Sequence, residues 1–358
     1  MRFPRSAANR RATRRAAAGL AALALAATAT GCGGGDDTTA ETGGEAAESS
    51  LLVYSGRNEE LVGPLLTRLG EATGTQVEVR YGDSSELAAQ LLEEGDRTQA
   101  DLFFSQDAGA LGALAEAGRL TELPKATLER VIEDYRDDDD RWVATSARAR
   151  VVAYDPSQAP EAASMTKIDQ VLDPKYRGKV GYAPTNASFH AFVTALREDR
   201  GEAAAREWLT SFKENQPQAY ERNGAVLEAV NSGAVALGLI NHYYWHELVA
   251  EQGLDKVKAR IRFLGTDDPG ALINVAGVGV LEGTDQAEAA QKAVEFLVSD
   301  PSQQYFADET AEYPVVEGIT TTKHDLVPLE QLKGSEVDLD DLDSLDQTLK
   351  LLDEVGLT

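Results

Sequence analysis

The 358-residue chain has one cysteine, Cys32, so no disulfide can form within it and its stability must come from a buried core. Histidine is also scarce, with four residues at positions 190, 242, 246 and 324. No GxSxG elbow, phosphate-binding P-loop, HExxH helix or CxxC pair is present. With no nucleophile and base set, an enzyme is not expected. His242 and His246 are four apart on one helix but lack an accompanying glutamate pattern, so they are read as incidental. The acidic cluster Glu336–Asp346 lacks the glycine of a calcium loop and reads as a solvated surface, as does the run Asp137–Asp140. Beyond residue 31 there is no apolar run long enough to span a bilayer. Positive charge is the minor sign: 34 Lys and Arg oppose 60 Asp and Glu, for a net charge of -26. Six of those arginines precede residue 32, and without them the balance falls to -32. Such a surface repels nucleic acid and anionic lipid, and excludes nucleic acid as a partner.

What is present begins with a targeting segment. Arg2, Arg5, Arg10, Arg11, Arg14 and Arg15 precede the apolar stretch Ala16–Ala29, which is followed by Thr30-Gly31-Cys32. A basic region, a short apolar region and small residues form a secretory signal over residues 1–31. Ala29-Thr30-Gly31-Cys32 resembles the bacterial lipobox, with Ala29 where leucine is usual. Cys32 is therefore the expected lipidation site and mature N-terminus; the bland alternative is a chance cysteine after an ordinary signal. Residues 33–50 contain no aromatic and no large apolar residue, so residues 32–50 are expected to be a lipidated flexible tether.

From Leu51 onward, short apolar strands alternate with amphipathic helices. Leu51–Tyr54, Gln76–Tyr81 and Asp101–Ser105 read as strands, separated by helices at Leu61–Ala72 and Ser84–Leu92 and followed by Ala108–Ala117. Ser84 or Ser85 is the expected cap of the second helix. A second series follows. Its expected strands are Ala149–Tyr154, Val180–Ala183, Val235–Ile240, Arg260–Gly265 and Leu272–Val280. Its expected helices are Ser188–Leu196, Glu202–Lys213, Ala225–Val230, His242–Glu251, Glu288–Val298 (ended by Asp300-Pro301) and Leu342–Leu352. This alternation predicts an α/β chain with parallel sheets covered by helices. In such sheets ligands bind beyond the carboxyl ends of strands, near helix N-termini.

The chemistry should therefore follow the strands, at Ser55–Asn58, Ser105–Asp107, Pro184–Ser188 and Asn241–Trp245. Tyr243-Tyr244 stands out. Neighbours on a helix point about 100° apart. Two adjacent phenols converge only at a strand-to-helix turn, which is where this pair falls. Phenolate is a hard anionic donor suited to a small trivalent cation. Two adjacent tyrosines by themselves are more often a packing pair.

The body from Leu51 to Leu357 resembles the bacterial ferric-ion-binding proteins that serve ABC importers. The resemblance rests on VYSGRNEE, ADLFFSQDAGAL, SARARVVAYD, GYAPTNASF, ERNGAVLEAV, LINHYYWHELVAEQG, DPGALINVAGVGVL and AEYPVV, in the family's order and spacing. It implies a two-lobed periplasmic-binding-protein fold with crossing hinge strands. The first lobe would be residues 51–147 with about 273–310, and the second 148–272 with about 311–358. It implies ferric iron as cargo, held by Tyr243 and Tyr244, with carbonate or phosphate as a synergistic anion. Anion or cleft positions map to Asn186, Ala187, Ser188, Asn223 and Asn241, with Asp107 near the opposite wall. Where some members place a histidine and a glutamate ligand, this chain has Asn58 and Gln106; where some place a third tyrosine, it has Phe189. The implied partners are an ABC permease and its ATPase, with the membrane met only through the Cys32 lipid, and the implied state is monomeric. The neutral Asn58 and Gln106 keep open the same scaffold holding a phosphonate or chelated iron.

Overall fold

The computed structural model describes residues 50–358 apart from positions 266, 333, 336 and 338. The signal segment, Cys32 and the tether to residue 49 lie outside the described residues; Ser50, expected at the end of the tether, is the first residue of a strand.

The first series is β1 (Ser50–Ser55), α1 (Glu59–Thr73), β2 (Gln76–Tyr81), α2 (Ser84–Glu94), β3 (Leu102–Ser105), α3 (Ala108–Glu116) and the short α4 (Lys125–Leu128). It ends in the 13-residue β4 (Trp142–Tyr154). Then come β5 (Val180–Tyr182), α5 (Ala187–Arg200), α6 (Glu202–Glu214), β6 (Gln218–Ala219), α7 (Asn223–Ser232), β7 (Leu237–Asn241), α8 (Tyr243–Gln252) and β8 (Arg260–Arg262). β9 (Ile273–Val280), α9 (Ala287–Leu297), α10 (Asp300–Glu309) and α11 (Leu345–Val355) complete the chain.

The strands form one curled sheet in the order β2-β1-β3-β9-β4-β7-β5-β6, with β8 on β4. β1 pairs in parallel with β2 and β3, and β5 does so with β6 and β7. β4 is the seam. Its residues up to Ala149 pair antiparallel with β9, and those from Arg150 onward pair with β7. A bulge at Thr145 interrupts the β9 register. Two cores follow from this division. One lies around β1, β3, β9 and the helices α1, α3 and α9. The other half-sheet is covered on both faces, by α5 and α6 on one side and α7 on the other. This is the two-lobed periplasmic-binding-protein fold.

Four local outcomes differ from expectation. β4 begins seven residues before the expected Ala149, because small Ala, Thr and Ser residues carry the strand through the seam without an apolar signal. Asp300-Pro301 ends α9 but also opens α10, where proline in the first turn forfeits only an N–H with no intrahelical partner. α2 is preceded by Asp83, and neither Ser84 nor Ser85 caps it. In the acidic C-terminal cluster, Leu339 and Leu342 are buried in the first core, so that segment is more than a solvated surface. It packs closely on α3, where a Cβ in place of Gly109 would collide with the Leu342 carbonyl. The C-terminal segment is shared: Tyr313, Val315, Leu339 and Leu342 lie in the first core, and Leu351, Leu352 and Leu357 in the second.

Candidate functional site

β7 is wholly buried and delivers the chain to His242, whose helical backbone angles start α8. The His242 ring is fixed by main chain on both sides. Nδ1 accepts from the Ala149 N–H at 3.2 Å and Nε2 donates to the Ala311 carbonyl at 3.0 Å. Those bonds define one neutral tautomer, and burial, with His246 adding to it, holds the pKa down to about 3. The helix start is thus tied to β4 and to the segment after α10.

Tyr243 and Tyr244 follow at once. Tyr243 is buried, Tyr244 is half-buried, and their rings stack with centroids 4.2 Å apart. Their hydroxyls interact with each other. Burial, the neighbouring Tyr244 and Glu312 raise the Tyr243 phenol well above its ordinary value, against the pull of Arg148. Burial likewise raises Tyr244. The pair is therefore protonated at neutral pH.

Gln106, at the end of β3, reaches across from the other half-sheet and donates to the Tyr243 hydroxyl at 3.3 Å. Its neighbour Asp107 caps α3, with Oδ1 accepting from the Ala110 N–H at 3.0 Å. Asp107 Oδ2 is buried and without a partner among the described residues. Burial pushes this carboxyl up to about 6, opposed by the Ala110 N–H and by Arg148. Asn58 is exposed, and its Oδ1 accepts from the Glu60 N–H at 2.8 Å as the cap of α1. Phe189 is a core residue, packed against Tyr182 at 5.1 Å.

The other expected cleft residues gather at the N-terminus of α5. Asn186 caps that helix through the Ser188 N–H at 3.1 Å and accepts from Asn223 Nδ2 at 3.2 Å. Asn241 Nδ2 donates to Ser188 Oγ at 2.9 Å. Ala187, the first residue of α5, is buried between them. Asn223 Oδ1 is buried with no partner among the described residues. A helix N-terminus with polar groups converging on it is a place for negative charge.

Two residues that sequence reasoning missed complete the arrangement. Arg148 and Arg150 alternate along β4 and are both buried. No nitrogen of the Arg148 guanidinium has a hydrogen-bond partner among the described residues; Glu312 Oε1 lies 3.9 Å from Nη1. Arg150 Nη1 is likewise unpartnered, and its guanidinium lies over the Phe192 ring of α5 at 5.6 Å. Burial lowers Arg150 to about 10, offset by the proximity of Tyr243 and Tyr244. Arg150 pairs with Asn241 in the β4–β7 register, so it stands between the tyrosines and the α5 terminus. Two arginines two apart in a strand of otherwise uncharged residues were the available signal. Among the described residues, no group of three or more His, Cys, Asp or Glu is arranged to hold a metal ion. A hard-cation site would have to use the phenols.

Residues 97–344 match the family of bacterial extracellular solute-binding proteins. The major ferric iron-binding protein of Neisseria meningitidis is 33% identical over 322 residues, covering 88% of this chain and 96% of the relative. Iron-bound HitA from Pseudomonas aeruginosa superposes with a TM-score of 0.81 at 32% identity, covering 86% of this chain and 99% of that one. A Trichodesmium protein in complex with iron and citrate ligands superposes with a TM-score of 0.70 at 26% identity, covering 87% and 100%. The chain belongs to the bacterial ferric-ion-binding protein family. Solute-binding proteins of this family are not enzymes, and they work with ABC permeases. Among the described residues of this family member, no helix is long and apolar enough to cross a membrane.

Proposed function

We propose that this chain is the extracytoplasmic receptor of an iron importer and captures ferric iron through the phenolates of Tyr243 and Tyr244. The observation that carries the reading is the stacked phenol pair at a strand-to-helix turn, beside the buried guanidiniums of Arg148, with no partner on any nitrogen, and Arg150, with none on Nη1. Two phenolates leave one positive charge on Fe(III), and Arg148 and Arg150 add more. Burying that much positive charge is costly unless an anion joins it. Carbonate or phosphate at the α5 terminus, between Asn186, Ser188, Asn223, Asn241 and Arg150, would supply it. Gln106 would steady Tyr243, and Asp107 would stay on the far wall as a helix cap. The half-sheets would act as lobes closing on the cargo, with the C-terminal segment shared between them. Cys32 lipidation would tether the receptor beside its permease and ATPase. Chelated iron is the second reading, favoured by the unpartnered arginines and by the relative that binds iron with citrate.

Metal analysis and a visible spectrum of the purified mature protein test this. Ferric citrate should produce a phenolate-to-iron charge-transfer band that bleaches in Tyr243→Phe/Tyr244→Phe. Iron binding undiminished in that double variant would rule the tyrosine site out. Retention of stoichiometric citrate with the iron would select the chelate reading.

A further inference from the structure

Resting on the tyrosine reading, we propose that Glu247 is a third anionic protein ligand of the ferric ion, so that every charged ligand the chain supplies comes from α8. Glu247 lies four residues after Tyr243 and three after Tyr244, which puts it on the same side of the helix as the pair. Its Oε1 is excluded from water and has no hydrogen-bond partner among the described residues. A carboxylate oxygen in that state is normally met by a cation or a metal.

The charged groups that act on Glu247 are Glu312, Arg57 and Glu60, and two of them belong to the β1–α1 turn of the other half-sheet and the start of α1. That is the turn from which the family resemblance brings a histidine ligand, and where Asn58 instead spends its oxygen on the α1 cap. Arg57 does not take the role of counter-ion, because its guanidinium is bound to Glu312 at 2.7 Å and to Ser146 at 3.3 Å. Burial, and then the Glu312 charge, push the Glu247 carboxyl up to about 8. The electrostatic balance agrees. Two phenolates and one carboxylate cancel the three charges of Fe(III), and the anion then answers Arg148 and Arg150. Gln106 occupies the position of a carboxylate on the first lobe but is a neutral donor, so Glu247 restores from the second lobe the charge that Gln106 lacks.

Glu247→Gln and Glu247→Asp, compared with wild type and with Tyr243→Phe/Tyr244→Phe, decide the matter. Each is loaded with ferric citrate and challenged with excess citrate while the visible band is followed; circular-dichroism melting confirms folding. Glu247→Gln should keep a charge-transfer band, since the tyrosines remain. The band should move to longer wavelength, because iron with one fewer anionic donor accepts phenolate charge more readily. Iron should be lost at a citrate concentration at least about tenfold lower, with Glu247→Asp recovering part of the retention. An unshifted band together with wild-type retention in Glu247→Gln would overturn the proposal while leaving the tyrosine site standing. No band in wild type, or an undiminished one in the double tyrosine variant, would overturn both.

Discussion

At the scale of single residues, the tyrosine pair couples iron capture to protons. Burial holds both phenols above their ordinary value, Tyr243 well above it, so both are protonated near neutrality. Ferric binding must expel both phenol protons, and the raised carboxyl of Glu247 gives up a third when it binds, so affinity rises with pH. The logarithm of the ferric binding constant, corrected for the protonation of citrate, should climb with a slope near 3 between about pH 6 and pH 7, and near 2 in Glu247→Gln. A pH-independent constant would mean that phenolates are not the ligands. The pair was legible in the sequence because it sits where a buried strand turns into a helix. Arg148 and Arg150 were not, because arginine ordinarily reads as a surface residue and is rarely buried. Asn58-Glu59-Glu60 carries a local signature of its own, an asparagine cap with acidic residues in the first turn, and the Asn58 oxygen is spent on that cap.

At the scale of elements, most strands and helices were legible because their apolar residues recur with period two or 3.6. The misses occurred where small residues or proline remove that signal, as at the start of β4 and the start of α10. β4 also has to end correctly, since it carries Arg148 and Arg150. Asp155 follows its last residue and holds the turn. Oδ1 accepts from the Ser157 N–H at 2.9 Å and the Ser157 hydroxyl at 2.7 Å, and Oδ2 from Gln158 at 2.9 Å and Lys258 at 2.7 Å. Burial would raise this carboxyl, but these donors outweigh it and hold the pKa below the ordinary range. Asp155→Ala should cost about 2 kcal/mol in urea unfolding near neutral pH. A carboxyl with a depressed folded pKa stabilises above its unfolded value, about 4, and loses that effect as pH falls. The gap between wild type and variant should therefore shrink below about pH 4. Ferric binding should be unchanged, because the turn lies beside the start of β7, at the opposite end of that strand from the tyrosines.

At the scale of the whole molecule, one buried carboxylate gathers three segments of the chain beside the β4 seam. Glu312 Oε2 accepts from Arg57 at 2.7 Å, from Ser146 at 3.0 Å and from Thr310 at 3.2 Å. Those donors come from the β1–α1 turn, from β4 beside its bulge and from the end of α10, so one side chain joins three segments at the seam. Burial alone would raise the Glu312 carboxyl, but Arg57 and Arg148 overcome it and hold the group ionised. The cluster carries two guanidiniums and one carboxylate, and its surplus positive charge lies on Arg148, toward the tyrosines. Glu312→Gln removes the negative member and leaves Arg57 and Arg148 buried together. The expected cost is about 3–5 kcal/mol, read as a lowered denaturation midpoint with little change in slope. The same change should also bear on the cargo site. With Glu312 neutral, the field of Arg148 on Tyr243 and Tyr244 is uncompensated, so the phenols should lose their protons more readily. If the seam charge reaches the site, the pH profile of ferric binding in Glu312→Gln will be displaced toward lower pH. A destabilised variant with an unmoved profile would confine Glu312 to holding these segments together.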